Sequence, residues 1–200
     1  MNLSRRLLLA LPAIAAFPRL SIAALSERSI GNADAPVTIT EFYSLTCPHC
    51  ARFSRDTMPQ VMAELIKPGK LRMVFRDFPL DQVALKAALV ARALPPQRYE
   101  PFIAALLASQ DRWLYARGVD SVAELAKMAA LAGMPRATFD GAIADKAAGE
   151  AIIADQADAE KTLGVDSTPT FIINGPKAHD RKESGERSFT EFAQFVTDAM

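Results

Sequence analysis

The 200-residue sequence is poor in the residues that build metal sites and disulfide frameworks, with only two cysteines and two histidines. It also lacks a charge excess, because 23 basic residues balance 23 acidic ones. Nucleic-acid-binding domains usually carry a basic excess, so this balance argues against nucleic acid as a partner. Half of the residues are hydrophobic, which excludes intrinsic disorder. The length suits one domain, or one domain with a sizeable insertion.

Residues 1–24 have the pattern of a secretory signal peptide. Arg5 and Arg6 precede an apolar run from position 7 to position 17, and small residues follow near position 23. The apolar run is too short to span a bilayer comfortably, which argues against a membrane-anchoring helix. We expect this segment to be cleaved on export, by the general secretory route or by the twin-arginine route that the arginine pair suggests. The mature protein is then expected in an oxidising compartment.

Residues 25–80 are expected to contain a strand, a helix and a second strand. Residues 35–43 are rich in β-branched and aromatic side chains, which predicts a strand. Apolar residues at near-helical spacing follow the cysteines, although Pro59 should kink or interrupt that helix. Residues 71–78 alternate between polar and apolar and predict the second strand. This order indicates a parallel βαβ unit.

Residues 81–149 form a block with a different pattern. They are rich in alanine and leucine, have helical periodicity, and contain no segment that predicts a strand. A capping box is predicted at 121–124 and a helix stop at Gly133. Trp113 and Tyr115 are expected in the core. Because strand patterns lie on both sides of this block, we interpret it as a helical insertion.

Residues 150–200 return to the pattern of the first part. The segment opens with a helix that Gly164 should end, and a strand over 170–173 follows. Asn174-Gly175 predicts a turn after that strand. Residues 177–187 are mostly polar, so we expect a short or distorted edge strand there. A final amphipathic helix, built around three phenylalanines, ends the chain.

The two cysteines are spaced as Cys47-x-x-Cys50, which three kinds of site would explain. A structural disulfide over so short a loop would stabilise the fold little. A structural zinc site needs four ligands, and only His49 and His179 could add to the pair. No metal site is therefore predicted, although a copper-binding module that uses few ligands stays open. The strand–helix–strand context favours a dithiol that cycles between reduced and oxidised forms.

The start of a helix suits such a dithiol. Cys47 is expected near the helix N-terminus, where free N–H groups and the helix dipole lower a thiol pKa. Pro48 fits the first turn because its missing N–H is not needed there. His49 could add positive charge or a hydrogen bond. A stabilised thiolate makes the disulfide form an oxidant, and Cys50, further inside, would resolve the mixed disulfide.

Cys47-Pro48-His49-Cys50, with the strand 40–44 before it, resembles the DsbA family of periplasmic thiol–disulfide oxidoreductases. The resemblance covers residues 31–200 and includes both the helical block and the segment 167–171, Ser-Thr-Pro-Thr-Phe. It implies an α/β protein with a thioredoxin-like fold and a helical insertion domain. It also implies that the redox-active disulfide between the two cysteines is used without any other cofactor.

The resemblance assigns roles to residues outside the cysteine motif. Pro169 would be cis and would present the backbone of Thr168 to an extended substrate. Glu41 would be a buried acid that relays a proton to or from Cys50, with a solvated strand residue as the alternative. Arg76 is a weak candidate for the partner of Glu41.

The sequence therefore predicts an exported enzyme that introduces disulfides into unfolded or reduced exported proteins. A DsbB-like, quinone-linked membrane oxidase would reoxidise it. Thr168 before the proline also occurs in the isomerase branch of the family, so a disulfide isomerase or reductase kept reduced by a membrane reductant stays open. Isomerases of this kind dimerise through a separate N-terminal domain. The short segment before the first strand leaves no room for one, and we expect a monomer. A peptide-binding chaperone that uses the helical insertion is a further alternative.

Overall fold

The computed structural model describes residues 25–200, so the predicted signal peptide lies outside the described residues. A five-stranded sheet of order β1-β3-β2-β4-β5 forms the centre of the fold. The strands are β1 Arg28–Ile30, β2 Val37–Tyr43, β3 Leu71–Asp77, β4 Thr170–Gly175 and β5 Ala178–Ser184.

Eight helices accompany the sheet in this part of the chain. Helix α1 follows β2 and runs through four consecutive segments, Pro48–Arg52, Phe53–Thr57, Met58–Val61 and Met62–Ile66. Six helices lie between β3 and β4: α2 Gln82–Arg92, α3 Pro96–Ala108, α4 Gln110–Trp113, α5 Ser121–Leu131, α6 Arg136–Ala144 and α7 Lys146–Leu163. Helix α8, Phe189–Ala199, ends the fold. Within residues 25–200, no helix combines the length and the apolar character that crossing a membrane requires.

The sheet confirms the α/β class and the parallel βαβ unit. Strands β2 and β3 pair in parallel, from Val37 opposite Leu71 to Tyr43 opposite Asp77, with α1 as the crossover. Strand β4 pairs antiparallel with the other side of β2. The sequence did not predict β1, which is only three residues long and pairs antiparallel with β3.

Pro59 changes the geometry of α1 without ending the helix. Proline has no N–H, and its ring clashes with the carbonyl four residues earlier. The turn before it, Phe53–Thr57, is π-helical, and the N–H of Met58 bonds to the carbonyl of Phe53. The predicted interruption is therefore a wider turn that admits the proline, and the helix continues to Ile66.

Residues 81–149 contain no strand, as predicted. The predicted stop at Gly133 is confirmed, because this residue has a positive φ of 81° just after α5. The predicted capping box is wrong by one position, because Asp120 is the N-cap and its side chain accepts from the N–H groups of Val122 and Ala123. Aspartate competes well with serine for this position, and the pattern did not separate them.

The turn after β4 lies later than predicted. Asn174 and Gly175 belong to β4, and the chain turns after them. The Asn174 side chain instead reaches across the hairpin, where it accepts from the N–H of Asp180 at 2.9 Å. Asp180 has a φ of 49°, and the pairing of β4 with β5 shifts register between Ile173 and Gly175. The edge strand is distorted, as its polar sequence predicts, but it is seven residues long.

An aromatic cluster holds α1 and α8 against β4. The ring centroids of Phe53 and Phe171 lie 4.8 Å apart, and Phe192 lies 5.3 Å from each of them. All three side chains are almost fully buried. Such pairs add about 1 kcal/mol each beyond the burial of their area. This packing fixes α1, whose first turn carries the cysteines.

Candidate active site

The structure places Cys47 at the N-cap of α1. Its sulfur accepts a hydrogen bond from the N–H of Cys50 at 3.5 Å, and Pro48 occupies the first turn. Both cysteines are free thiols, with exposed fractions of 4% for Cys47 and 0% for Cys50. The first thiol therefore lies at the surface end of the helix and the second lies beneath it.

The two thiols have opposite acidities. The hydrogen bond from the Cys50 thiol lowers the pKa of Cys47 to about 5. Burial opposes this effect, whereas a hydrogen bond with Thr168 and the N–H groups of Cys50 and His49 add to it. Burial raises the pKa of Cys50 well above its usual value. At pH 7, Cys47 is thus a thiolate and Cys50 a protonated thiol. A thiolate is a good leaving group, and a buried thiol next to it can close a disulfide.

The loop before β4 lies against the first cysteine. The peptide bond between Thr168 and Pro169 is cis, as the resemblance implied. The carbonyl oxygen of Thr168 lies 3.3 Å from the sulfur of Cys47. The carbonyl of Pro169 accepts from the N–H of Gly185 at 2.8 Å, which ties the loop to the end of β5. Backbone that could pair with an extended peptide is therefore adjacent to the reactive sulfur.

Glu41, on β2, is buried, so the alternative of a solvated strand residue is wrong. Only 4% of this residue is exposed. Burial, followed by the nearby charge of Cys47, raises the pKa of the Glu41 carboxyl to about 8. Arg76 does not pair with Glu41, because it binds Asp155 at 2.7 Å and stacks on Phe42, the next residue of β2. Successive strand residues face opposite sides of the sheet, which explains the separation.

His49 lies at the exposed surface of the site beside two residues that sequence reasoning missed. Its Nδ1 atom is 2.6 Å from the Nη2 atom of Arg52 and 3.2 Å from the Oε2 atom of Glu186. The guanidinium of Arg52 also binds Glu186 at 2.8 Å. Arg52 is one helical turn after His49, which spacing could have indicated. Glu186 lies 137 residues after His49, and no local pattern could have brought it there.

The helical block also contacts the site. Trp113 is buried, as predicted, but Tyr115 is 57% exposed and its hydroxyl donates to the carbonyl of Thr46 at 2.7 Å. The prediction of a core position for Tyr115 is therefore wrong. The side-chain amide of Gln110 donates to the carbonyls of Leu45 and Cys47 at 2.9 and 3.1 Å. A tyrosine or glutamine inside a helical pattern carries no sequence signal for such contacts.

The second histidine is remote from this chemistry. His179 is exposed on β5. Across residues 25–200, no group of three or more His, Cys, Asp or Glu side chains is arranged to hold a metal ion.

Comparison with known proteins identifies the family. The family model described as thioredoxin matches residues 24–193. The crystal structure of alpha-DsbA1 from Wolbachia pipientis superposes with a TM-score of 0.79, at 30% identity, over 86% of this chain and 90% of that one. Oxidised BdbD from Bacillus subtilis has the same fold, with a TM-score of 0.72 at 20% identity over 86% of this chain and 92% of that one.

Curated relatives include proteins named as protein-disulfide oxidoreductases. A Rickettsia felis protein named as a protein-disulfide oxidoreductase is 29% identical over 154 residues, which are 75% of this chain and 54% of that protein. The chain thus spans about half the length of the curated relatives that it matches. The helical block between the halves of the sheet and the cysteine motif at the start of α1 agree with these comparisons. The chain belongs to the thioredoxin family and, within it, to the DsbA family of thioredoxin-fold proteins.

Proposed function

We propose that the protein is a thiol–disulfide oxidoreductase that oxidises reduced or unfolded exported proteins in the periplasm. The observation that carries this proposal is the contrast between the two cysteines. Cys47 has a lowered pKa at the start of α1, and Cys50 has a raised pKa beneath it. The relatives named as protein-disulfide oxidoreductases and the family membership support the same chemistry.

The reaction starts from the disulfide form. A substrate thiolate attacks the sulfur of Cys47, a substrate–Cys47 bond forms and the Cys47–Cys50 bond breaks. Cys50 leaves as a thiolate whose raised pKa demands a proton, and the protonated carboxyl of Glu41 can supply it. A second substrate thiolate then attacks the substrate sulfur of the mixed disulfide, which releases Cys47 as a stable thiolate. The substrate has lost two electrons and the enzyme has gained them.

The thiolate sets the direction of this exchange. With a pKa of about 5, Cys47 is ionised at pH 7, whereas an ordinary cysteine is almost wholly protonated. The difference stabilises the reduced enzyme by about 3 kcal/mol, equivalent to about 60 mV in a two-electron couple. The disulfide form is therefore a stronger oxidant than an ordinary disulfide and can oxidise substrate thiols. A DsbB-like membrane partner linked to quinone would restore the disulfide.

Oxidation of a reduced, unfolded disulfide protein tests this function. The oxidised enzyme should form disulfides in that substrate at stoichiometric amounts, with one enzyme disulfide consumed for each substrate disulfide formed. Cys47→Ser should abolish the reaction, and Cys50→Ser should accumulate no product because it cannot hold the starting disulfide. Equal activity in the double serine variant would overturn the proposal and favour a binding role without redox chemistry.

The redox state in the cell separates an oxidase from an isomerase or reductase. Rapid acid quenching followed by alkylation should find the Cys47–Cys50 pair mostly oxidised in the periplasm. A mostly reduced pair would show that a membrane reductant serves the protein and would favour the isomerase or reductase alternative. This alternative rests on Thr168, which precedes the cis proline, because threonine at this position also occurs in the isomerase branch of the family.

A further inference from the structure

Three successive carbonyl groups of the loop before α1 have donors from the helical block. The carbonyls belong to Leu45, Thr46 and Cys47, the last residues before the helix begins. Gln110 binds the first and third, and Tyr115 binds the second. Only the Cys47 carbonyl has a helical partner as well, the N–H of Ala51 at 3.1 Å.

The geometry fixes which atoms donate. Both contacts of the Gln110 side chain end on carbonyl oxygens, which only accept, so the amide nitrogen must face them. This nitrogen carries two hydrogens, one for each carbonyl. Gln110 is 5% exposed, so few water molecules could replace it. The hydroxyl of Tyr115 must likewise donate to Thr46.

Gln110 and Tyr115 form one rigid unit. The N–H of Tyr115 bonds to the carbonyl of Gln110 at 3.0 Å. The indole N–H of Trp113, between them, donates to the carbonyl of Leu106 at 2.8 Å and anchors the segment to α3. The donors are therefore held in place before any reaction takes place.

The arrangement matters because charge develops on the sulfur of Cys47, the residue whose carbonyl Gln110 binds. A carbonyl oxygen is the negative end of a dipole, and it opposes a nearby thiolate unless a donor holds it in another direction. The carbonyl of Thr168 already lies 3.3 Å from the sulfur of Cys47. Without the donors of Gln110 and Tyr115, the loop that ends at Cys47 would be held less firmly relative to the N–H groups of Cys50 and His49, which stabilise the thiolate.

We propose that Gln110 and Tyr115 are positioning residues that hold the loop carbonyls and thereby set the acidity of Cys47 and its oxidising power. The inference deepens the proposed function and rests on it for its biological meaning. Through this unit the helical block, which carries neither cysteine, determines the chemistry of the thioredoxin-like part. It assigns a role in the reaction to residues outside the cysteine motif and outside the cis-proline loop.

Several titratable groups lie near Cys47, and the test must leave all of them except Tyr115 unchanged. They are Cys50 and His49 on α1, Glu41 on β2, Asp81 at the N-cap of α2, and Tyr115 itself. Gln110→Met removes a donor without changing any charge. Tyr115→Phe removes one hydroxyl from a ring that is 57% exposed, so this variant should fold.

Thiolate absorbance against pH, and the equilibrium of each variant with glutathione, provide the test. Both variants should raise the pKa of Cys47 and shift the glutathione equilibrium toward the disulfide by roughly three- to tenfold, since one pKa unit corresponds to a factor of ten. Tyr99→Phe is the control, because it removes a buried hydroxyl of the same helical block that binds Tyr43 and Asp77. It should lower stability and leave the Cys47 titration unchanged.

The outcomes separate the two proposals. Folded Tyr115→Phe and Gln110→Met proteins with the wild-type titration and equilibrium would overturn the positioning role and leave the proposed function untouched. If Gln110→Met does not fold, Tyr115→Phe alone decides. A shift of the same size in Tyr99→Phe would also overturn the role, because a general loosening of the helical block would then explain it. A wild-type potential like that of thioredoxin, with the variants shifted, would overturn the oxidase function alone.

Discussion

Glu41 shows how a single buried carboxyl couples stability to reactivity. Its pKa is about 8 in the folded protein and near 4.5 in the unfolded chain. The carboxyl is therefore neutral in both states below pH 4.5, and the folded state is penalised as the pH rises from there toward 8. A group that lowers stability over the working pH range does not serve folding, which agrees with a role as proton donor to Cys50.

Glu41→Gln should therefore stabilise the reduced protein at neutral pH. Removal of an ionisable group whose pKa is raised by more than three units should increase the free energy of unfolding by about 2 to 3 kcal/mol at pH 7. At pH 4 the variant and the wild type should unfold at nearly the same urea concentration. In its disulfide form, the same variant should be reduced more slowly by a thiol substrate, because Cys50 loses its proton donor. Lower stability than the wild type at pH 7 would contradict this account of Glu41.

At the scale of elements, the features that local sequence patterns determine were predicted, whereas the features that long-range contacts determine were not. The strands β2 and β3, the helix between them and the stop at Gly133 follow from periodicity and from glycine chemistry, which operate over a few residues. The short strand β1 has too few residues to show a pattern, and its pairing with β3 depends on the rest of the sheet. The turn after β4 was misplaced because Asn174 bonds to Asp180 across the hairpin, a contact that local preference cannot reveal.

The junction between β4 and α8 depends on a glycine. A Cβ atom at Gly175 would lie 2.6 Å from the carbonyl oxygen of Ala199, which also accepts from the N–H of Lys177 at 3.0 Å. Gly175→Ala must push the end of α8 away and should lower the free energy of unfolding by about 1 to 3 kcal/mol. Gly141→Ala is a matched control, because nothing lies within 4 Å of a Cβ at that position of α6. It should raise stability by up to about 1 kcal/mol, since alanine is the better helix former. Equal urea midpoints for the two variants would contradict the packing described here.

At the scale of the whole molecule, a buried polar network joins the helical block to the sheet. Asp77, at the end of β3, accepts from the hydroxyls of Tyr43 at 3.0 Å and Tyr99 at 3.3 Å, and it pairs with Arg92 of α2. Because Asp77 is 3% exposed, its removal leaves a largely buried guanidinium without its partner. The sequence predicted the insertion but not this connection, since its members are scattered over 57 positions and share no motif.

Asp77→Asn should therefore destabilise the protein strongly. Loss of one partner of a buried ion pair costs about 3 to 5 kcal/mol, and urea unfolding measures it. Asp155→Asn, which breaks the more exposed pair with Arg76, is the comparison and should cost about 1 kcal/mol or less. Similar losses in the two variants would show that the network at Asp77 does not have the role described.

The equilibrium between the Cys47–Cys50 pair and a series of glutathione buffers tests the central claim most directly. The stabilised thiolate of Cys47 predicts a potential well above that of thioredoxin, which is about −270 mV. It also predicts that lowering the pH through about 5 removes the contribution of the thiolate, so the pH dependence of the potential steepens below that value. A potential near that of thioredoxin, with no change of slope near pH 5, would contradict both the acidity of Cys47 and the oxidase function.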